Sequence, residues 1–366
     1  MRLIKLTLLF VIIAGIKIVS GQSREVINIP DIPDYITLKC DFHMHTVFSD
    51  GTVWPTERIK EAWEEGLDAI SITDHIEYLP HSKDINADHN RSFEIASPLA
   101  SETEIILVKG AEITRSMPPG HLNTLFISNA NLLEREDVVE ALKEAREQGA
   151  FIFWNHPGWK AQQPDTTLWW TEHTELLNND LLHGIEVYNN EFYPEALDWA
   201  NEKNLTMLCN TDVHGPMKIE GLHRPMTLVF VKNKSEAGIK EALFNRRTAL
   251  YYDNMLVGQP QYLEPIFFGS LEFEQKVLKL KNKESCTVQI KNNSDVDFEL
   301  ELIQPGIGFE APENITLKAH HITPLQLNGN SDEIDSSEKL DIFYEVKNMK
   351  VSNEDNLVIT FSFENN

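Results

Sequence analysis

The sequence predicts an α/β barrel joined to a small all-β sandwich, and three observations carry that prediction. From residue 35 to 231, short apolar runs of the kind buried in parallel sheets alternate with helical patterns. Beyond about residue 265 the pattern becomes strict alternation: Phe298, Leu300 and Leu302 against Glu299 and Glu301, then Leu357, Ile359, Phe361 and Phe363 against Thr360, Ser362 and Glu364. Finally, polar residues with metal-ligand chemistry recur just past many different strand-like runs. A barrel gathers all such positions on one rim, whereas an open sheet brings together mainly those beside its switch point.

Residues 1–21 have the order of a secretory signal, with Arg2 and Lys5, an apolar run over 6–16 and small residues at Ser20-Gly21. Lys17 interrupts the run short of the roughly 20 residues that a membrane span needs. Export is therefore expected, to the periplasm, the cell surface or the medium, with no membrane span left after cleavage. Residues 22–36 form a polar lead-in punctuated by Pro30 and Pro33. The barrel is assigned to 37–260, with strand-like runs at 35–40, 67–73, 105–108, 123–127, 150–154, 184–188, 205–209 and 226–231.

The clearest helix opens at Pro55, tolerated in a first turn whose N–H groups lack partners anyway. It puts Ile59, Ala62 and Trp63 on one face and stops at Gly66. A second runs over about 136–148, with Val138, Val139, Leu142 and Ala145 inward and Gly149 at its end; a third opens near Pro194, with Leu197 and Ala200 facing the sheet. The sandwich is assigned to 265–366, its strands parted by the turn clusters Asn292-Asn293-Ser294-Asp295 and Asn328-Gly329-Asn330-Ser331.

A chain of 366 residues exceeds what one core usually holds, which agrees with two domains. The formal net charge of -25 excludes binding that depends on neutralising nucleic-acid phosphates, so no stable nucleic-acid complex is expected. It leaves room for a small phosphorylated substrate, because metal ions reverse the field inside one cleft. Three cysteines are an odd set with no disulfide framework, and Cys40 and Cys209 fall in apolar runs that make them core residues. Nothing in the sequence indicates an oligomeric state.

The chemistry begins at Asp41-Phe42-His43-Met44-His45, where alternation along a strand turns both histidines to one face. Ser49-Asp50-Gly51 follows. Thr73-Asp74-His75 and Gly110-Ala111-Glu112 come directly after apolar runs, Gly120-His121 opens the next, and Asn155-His156-Pro157-Gly158 and Thr211-Asp212-Val213-His214-Gly215 follow two more. Six of the thirteen histidines thus sit at strand ends or openings between positions 43 and 214. Imidazole and carboxylate donors suit Zn, Mn or Fe, and a carboxylate such as Glu112 can bridge two ions. A water shared by two such ions loses its proton near neutral pH, so phosphate-ester hydrolysis through a metal-bridging hydroxide follows.

In combination, these motifs over residues 38–258 resemble the PHP (polymerase and histidinol phosphatase) superfamily of metal-dependent phosphoesterases. The resemblance implies a distorted (β/α)7 TIM-like barrel with two or three divalent ions at its rim. It implies that His43, His45, Glu112 and Asp212 hold one metal, that Glu112 bridges to a second completed by His121 and His156, and that Asp50, His75 and His214 hold a third. Some members carry His where this chain has Asp50.

Around these donors, Asp41 is positioned to orient an imidazole or to hydrogen-bond a strand end. Asp74 is a candidate to orient its neighbours or to protonate the leaving group. Arg115 and Arg224 are candidates to meet the phosphate, with surface salt bridges as the competing role. His81, His89, His173, His183, His223 and the His320-His321 pair lack such placement and read as surface or core residues. Trp154, Trp159, Trp169 and Trp170 read as packing residues or as stacking platforms. Two other functions use the same residues: a metal-stabilised binding module for a glycan or surface partner, without turnover, and a metal-dependent amide or lactone hydrolase.

Overall fold

The structure, a computed structural model, describes residues 23–366 apart from 87, 218–222, 305, 333 and 335–337. The signal-like segment 1–21 lies outside the described residues. Three parallel strands open the barrel: β1 (Ile36–Asp41), β2 (Ala69–Ile72) and β3 (Ile106–Ile113), connected through α1 (Pro55–Glu64) and α2 (Arg91–Thr103). β4 (Leu122–Leu125) then runs antiparallel to β3, and β5 (Phe151–Trp154), reached through α3 (Val138–Glu147), runs antiparallel to β4. Beyond α4 (Thr171–Asn178), β6 (Gly184–Asn189) pairs parallel with β5 and carries the short return strand β7 (Glu191–Phe192). After α5 (Pro194–Lys203), β8 (Thr206–Asn210) pairs parallel with β6.

β9 (Met226–Val231) lies antiparallel against β1, and β10 (Thr248–Tyr252), after α6 (Glu236–Phe244), lies antiparallel against β9. Side chains help to close the ring between β8 and these two strands. The Thr227 hydroxyl donates to the Cys209 carbonyl at 2.8 Å and accepts the Cys209 N–H at 2.9 Å, while the Thr248 hydroxyl donates to the Met207 carbonyl at 2.9 Å. All eight strand-like runs are strands, but two that were read as parallel, β4 and β9, are reversed. For β4 the reason is loop length: a parallel crossover needs a dozen or more residues, and only residues 114–121 separate β3 from β4. The reversal places the start of β4 on the same rim as the ends of the parallel strands.

Helix α1 has Pro55 in its first turn and buries Ile59 and Ala62. It ends at Gly66, whose φ of +81° is open to glycine, and where a Cβ would come within 2.8 Å of the Glu25 carbonyl oxygen. α3 starts two residues later than predicted, because Asp137 caps it by accepting the Glu140 N–H at 2.9 Å. Cys40 and Cys209 are buried free thiols, pushed well up from their ordinary range by burial.

The second domain follows β11 (Met255–Gly258) and α7 (Pro260–Ser270). It comprises β12 (Leu271–Phe273), β13 (Val277–Leu278), β14 (Ser285–Asn292), β15 (Phe298–Gln304), β16 (Phe309–Glu310), β17 (Asn314–Leu317), β18 (Ile322–Gly329), β19 (Lys339–Lys350) and β20 (Asn356–Asn365). One layer runs β12-β14-β18-β16 and the other β13-β20-β19-β15-β17. The layers are not separate from the barrel, because β19 pairs parallel with β11, Leu256 opposite Met349 and Val257 opposite Lys350. α7 fills the seam, with the Phe267 ring 4.9 Å from Phe298 and 6.0 Å from Phe361. The lead-in is also part of the packing: Ile27, Ile29 and Ile32 are buried, and Asp295 accepts hydrogen bonds from Asn28 N at 2.7 Å and Asn28 Nδ2 at 3.0 Å. Its alternating isoleucines had been outweighed in the sequence by the polar residues between them.

Candidate metal centre

Most donors are delivered by the segment after a strand, while Glu112 lies near the end of β3 itself and His121 immediately precedes the reversed β4. β1 ends at Asp41, and the chain stays tied to its neighbour beyond it because Met44 bridges to Val213; Phe42 and Met44 are buried in two different core clusters, and His43 and His45 are buried at the donor site. Asp41 does not touch an imidazole. Its Oδ1 accepts the backbone N–H groups of His43 at 3.2 Å and Thr211 at 3.3 Å, and its Oδ2 meets the Thr211 hydroxyl and Arg224 Nη2, each at 2.6 Å. This carboxylate ties the ends of β1 and β8 together.

Around His43 Nε2 three further donor atoms converge. Glu112 Oε2 lies at 2.8 Å, His45 Nε2 at 3.1 Å and Asp212 Oδ1 at 3.1 Å, and Asp212 Oδ1 is 2.9 Å from His45 Nε2. Donors at Zn–N and Zn–O bond lengths on a tetrahedron stand about 3.3 Å apart, so the spacing suits one ion. Asp212 Oδ1 and His121 Nδ1 are buried without a hydrogen-bond partner, although other ligand-type atoms press against them. A cation between these atoms satisfies them, and the donor set fits a metal.

A second group is formed by Glu112, His121 and His156. Glu112 turns its other oxygen, Oε1, to His121 Nδ1 at 2.7 Å, so its two oxygens face two donor sets as in a bridging carboxylate. The third group brings Asp50 Oδ1 to His214 Nε2 at 3.3 Å and His75 Nε2 at 3.4 Å. His45 also approaches it through Nδ1, at 3.9 Å from Asp50 Oδ1. A neutral imidazole has one lone pair, and His45 Nε2 already faces the first group. All nine candidate ligands therefore fall into the three groups implied by the family resemblance.

Two of the nine stand in the left-handed backbone region, His156 at φ +29° and Asp212 at φ +52°. That conformation is strained for side chains of this size and persists when surrounding bonds impose it. Here the His156 N–H donates to Glu186 Oε2 at 2.7 Å and the Asp212 N–H donates to the His43 carbonyl at 2.8 Å.

Glu186 is the residue that sequence reasoning missed. Fully buried on β6, it holds His43 Nδ1 at 2.8 Å and also accepts Asn189 Nδ2 at 2.8 Å and Asn210 Nδ2 at 2.9 Å. It fixes the His43 tautomer, since a proton on Nδ1 leaves the Nε2 lone pair for the ion. His214 is set likewise by its Nδ1 donating to the Asp212 carbonyl at 2.7 Å. The available signal was a lone carboxylate inside the apolar run 184–188, which must be satisfied when buried.

Without an ion, the group's charges pull protons into the site. Burial alone would lower the His43 imidazole, but the charges of Asp212 and Glu186 hold it well above its ordinary value. His75 is likewise opposed by burial, yet Glu112 and Asp50 push it up to about 10. Burial would raise Glu112 and Asp212, but the neighbouring imidazoles hold both well below the carboxylate range. His156 is lowered by burial.

Three other predicted residues have different positions. Asp74 accepts the Thr46 N–H at 2.7 Å, the Thr46 hydroxyl at 2.8 Å and the Ser49 hydroxyl at 2.8 Å; with both oxygens turned into the 46–49 turn, it is no leaving-group acid. Arg115 pairs with Glu77 at 2.6 Å and donates to the Arg135 carbonyl at 2.6 Å, so its guanidinium is directed away from the cleft. Arg224 is buried between Asp41 and Glu65 and is a scaffold ion pair. Trp154 is core, stacked on His173 at 3.7 Å, whereas Trp159 lines a cleft of about 540 Å³ over the donors.

Comparison with known proteins places this site in context. A PHP domain model matches residues 41–188 and an Ig-like domain model matches residues 271–362. An uncharacterized protein of Methanocaldococcus jannaschii is 27% identical over 190 residues, which cover 49% of this chain and 83% of that protein. The crystal structure of a two-domain protein from Bacteroides vulgatus, described as containing a predicted PHP-like metal-dependent phosphoesterase, superposes with a TM-score of 0.88 at 44% identity. It covers 94% of this chain and 100% of its own.

Proposed function

We propose, from the premise that this chain belongs to the PHP family of metal-dependent phosphoesterases, that it is an exported hydrolase of phosphate mono- or diesters. The observation that carries the reading is Glu112, buried, with one oxygen turned to each of two donor sets, in which Asp212 Oδ1 and His121 Nδ1 lack hydrogen-bond partners without a cation. Divalent ions held there supply Lewis acidity, bringing the pKa of a bound water to about 7 and offsetting the charge on phosphoryl oxygens. Zn, Mn and Fe all suit this mixed donor set.

The chain's own part is placement. Glu186 and the Asp212 carbonyl fix the tautomers of His43 and His214, so that both present Nε2 lone pairs to the rim. Asp41 and Asp74 pin the backbone of the turns that carry the donors. Among the described residues no Lys or Arg lines the cleft, and the cationic charge offered to a phosphate is that of the metal groups. Export rests on the order of residues 1–21. Among the described residues no helix is long and apolar enough to cross a membrane.

The test is elemental analysis after loading with Zn or Mn, together with a panel of phosphomonoesters and phosphodiesters, for wild type and Asp212→Ala. We expect metal-dependent hydrolysis in wild type and its loss in the variant. Fewer than one bound ion per chain in loaded wild type would sink the proposal, and faster turnover of amides or lactones than of phosphate esters would redirect it.

A further inference from the structure

Outside the donor atoms, the described residues that wall the cleft are aromatic rings and neutral polar side chains with one more charge, which is negative. Trp159 is 44% exposed and Tyr78 is 54% exposed, and both line the cleft. The Trp159 ring lies 5.2 Å from His156 and 5.6 Å from His121, and the Tyr78 ring lies 6.0 Å from His75. An ester whose phosphate sits on the donors therefore has a ring within reach from the side of each outer donor group.

The indole is presented by an ordered turn. The Trp159 N–H donates to the His156 carbonyl at 3.0 Å, and the Trp159 carbonyl accepts the N–H groups of Gln162 at 3.0 Å and Gln163 at 2.9 Å. The Tyr193 ring packs on Gly158, where a Cβ would meet it at 2.4 Å, and the Tyr193 hydroxyl donates to the Asn189 carbonyl at 3.1 Å. A large aromatic side chain held on such a turn and left facing a cleft is a preformed stacking surface.

The charge distribution sets a second requirement. Among the described cleft-lining residues that are not candidate ligands, Glu191 is the charged one, with no cationic side chain among the rest. A second phosphate or a carboxylate on the leaving group would find no counter-charge there and would face a carboxylate.

We propose that the preferred substrates are esters of a single phosphate whose leaving group carries a flat ring and no negative charge, with Trp159 stacking the ring and Glu191 rejecting anionic substituents. This rests on the phosphoesterase reading above. The probes are benzyl phosphate and cyclohexylmethyl phosphate, whose leaving alcohols match in size and are both primary, so that flatness is the main difference.

With the metal-loaded full chain, kcat/KM should favour the benzyl ester by about two- to tenfold, through KM, as expected for a ring stacked on an indole. Trp159→Ala should remove the preference and Trp159→Phe should keep most of it. Benzylphosphonate, which cannot be hydrolysed, should bind more tightly than cyclohexylmethylphosphonate in calorimetric titration. The ester of 4-carboxybenzyl alcohol should be a poor substrate that Glu191→Gln improves several-fold.

Equal kcat/KM for the two rings, or a preference untouched by Trp159→Ala, overturns the stacking role. A 4-carboxybenzyl ester indifferent to Glu191→Gln overturns the charge role. If wild type hydrolyses no ester at all, the phosphoesterase reading is what has failed, and the phosphonate titration still decides the ring preference.

Discussion

The first and third donor groups use the same residue types and differ in what surrounds them. In the first group His43, His45 and Glu112 are sealed from solvent and Asp212 alone, its side chain 18% exposed, opens to the cleft, whereas in the third the side chain of His214 is 38% exposed and that of Asp50 is 22% exposed. Behind the first group stands a buried carboxylate outside the ligand set, Glu186, held by two asparagines; behind the third stand the Thr114 hydroxyl and the ligand Glu112, 2.6 and 3.1 Å from His75 Nδ1, and a backbone carbonyl at His214. A group buried on all but one side has little water to relieve an unpaired charge, so it needs its ion for structural reasons as well as chemical ones. An open group can fill its vacancies with water, and its ion should be held more loosely. Exposure, and a carboxylate such as Glu186 that serves one imidazole without being a ligand itself, separate the two more than the count of ligands does.

Three substitutions test that contrast, in order of expected effect. Asp212→Ala removes the carboxylate shared by His43 and His45 and leaves two buried imidazole lone pairs facing each other. Activity should fall on the order of 10³-fold, corresponding to the several kcal/mol that metal charge stabilisation supplies. Glu186→Gln keeps the shape and removes the charge behind His43, and should weaken metal affinity of the first group by about 10- to 100-fold. A competitive chelator titration measures this; unchanged affinity would show that the second sphere is not what distinguishes the groups. Asp50→Ala should lower metal content by the third group's ion alone and reduce turnover by about tenfold. Loss of all bound metal in that variant would show that the groups are coupled.

Much of this architecture was legible because burial leaves a plain mark. Runs such as 150–154 and 226–231 are continuous in apolar residues because parallel and central strands are covered on both faces. Donors placed after many different strands pointed to a ring. Strand direction was not legible, since an apolar run reads the same both ways, and only the shortness of the 114–121 loop hinted that β4 turns back. For Arg115 and Arg224 the choice between phosphate contact and salt bridge was illegible for a related reason: nearness in sequence to Glu112 or His214 says nothing about where a long side chain is drawn, and Glu77, Asp41 and Glu65 claim them. Glu186 was hidden by the run around it, although a carboxylate there demands partners from elsewhere in the chain.

The smallest expected effect concerns protons, which compete with metal for the same lone pairs. In the metal-free protein, carboxylates hold His43 and His214 above their ordinary value and push His75 up to about 10. A histidine raised on folding contributes stability that is fully present below its unfolded value near 6.5 and is lost as pH rises through its folded value. The metal-free protein should therefore lose a few degrees of Tm between pH 7 and 10. In the loaded protein the ion takes the proton's place and that limb should be flat. His173 provides an internal control of opposite sign, since burial against Trp154 lowers it to about 4, and its contribution is lost as pH falls from about 6.5 towards 4 with or without metal. Tm measured from pH 5 to 10, with and without chelator, separates the two histidines. Coincident alkaline limbs would mean that the imidazoles do not take up protons when the ion leaves, and the electrostatic account of the open group would have to be abandoned.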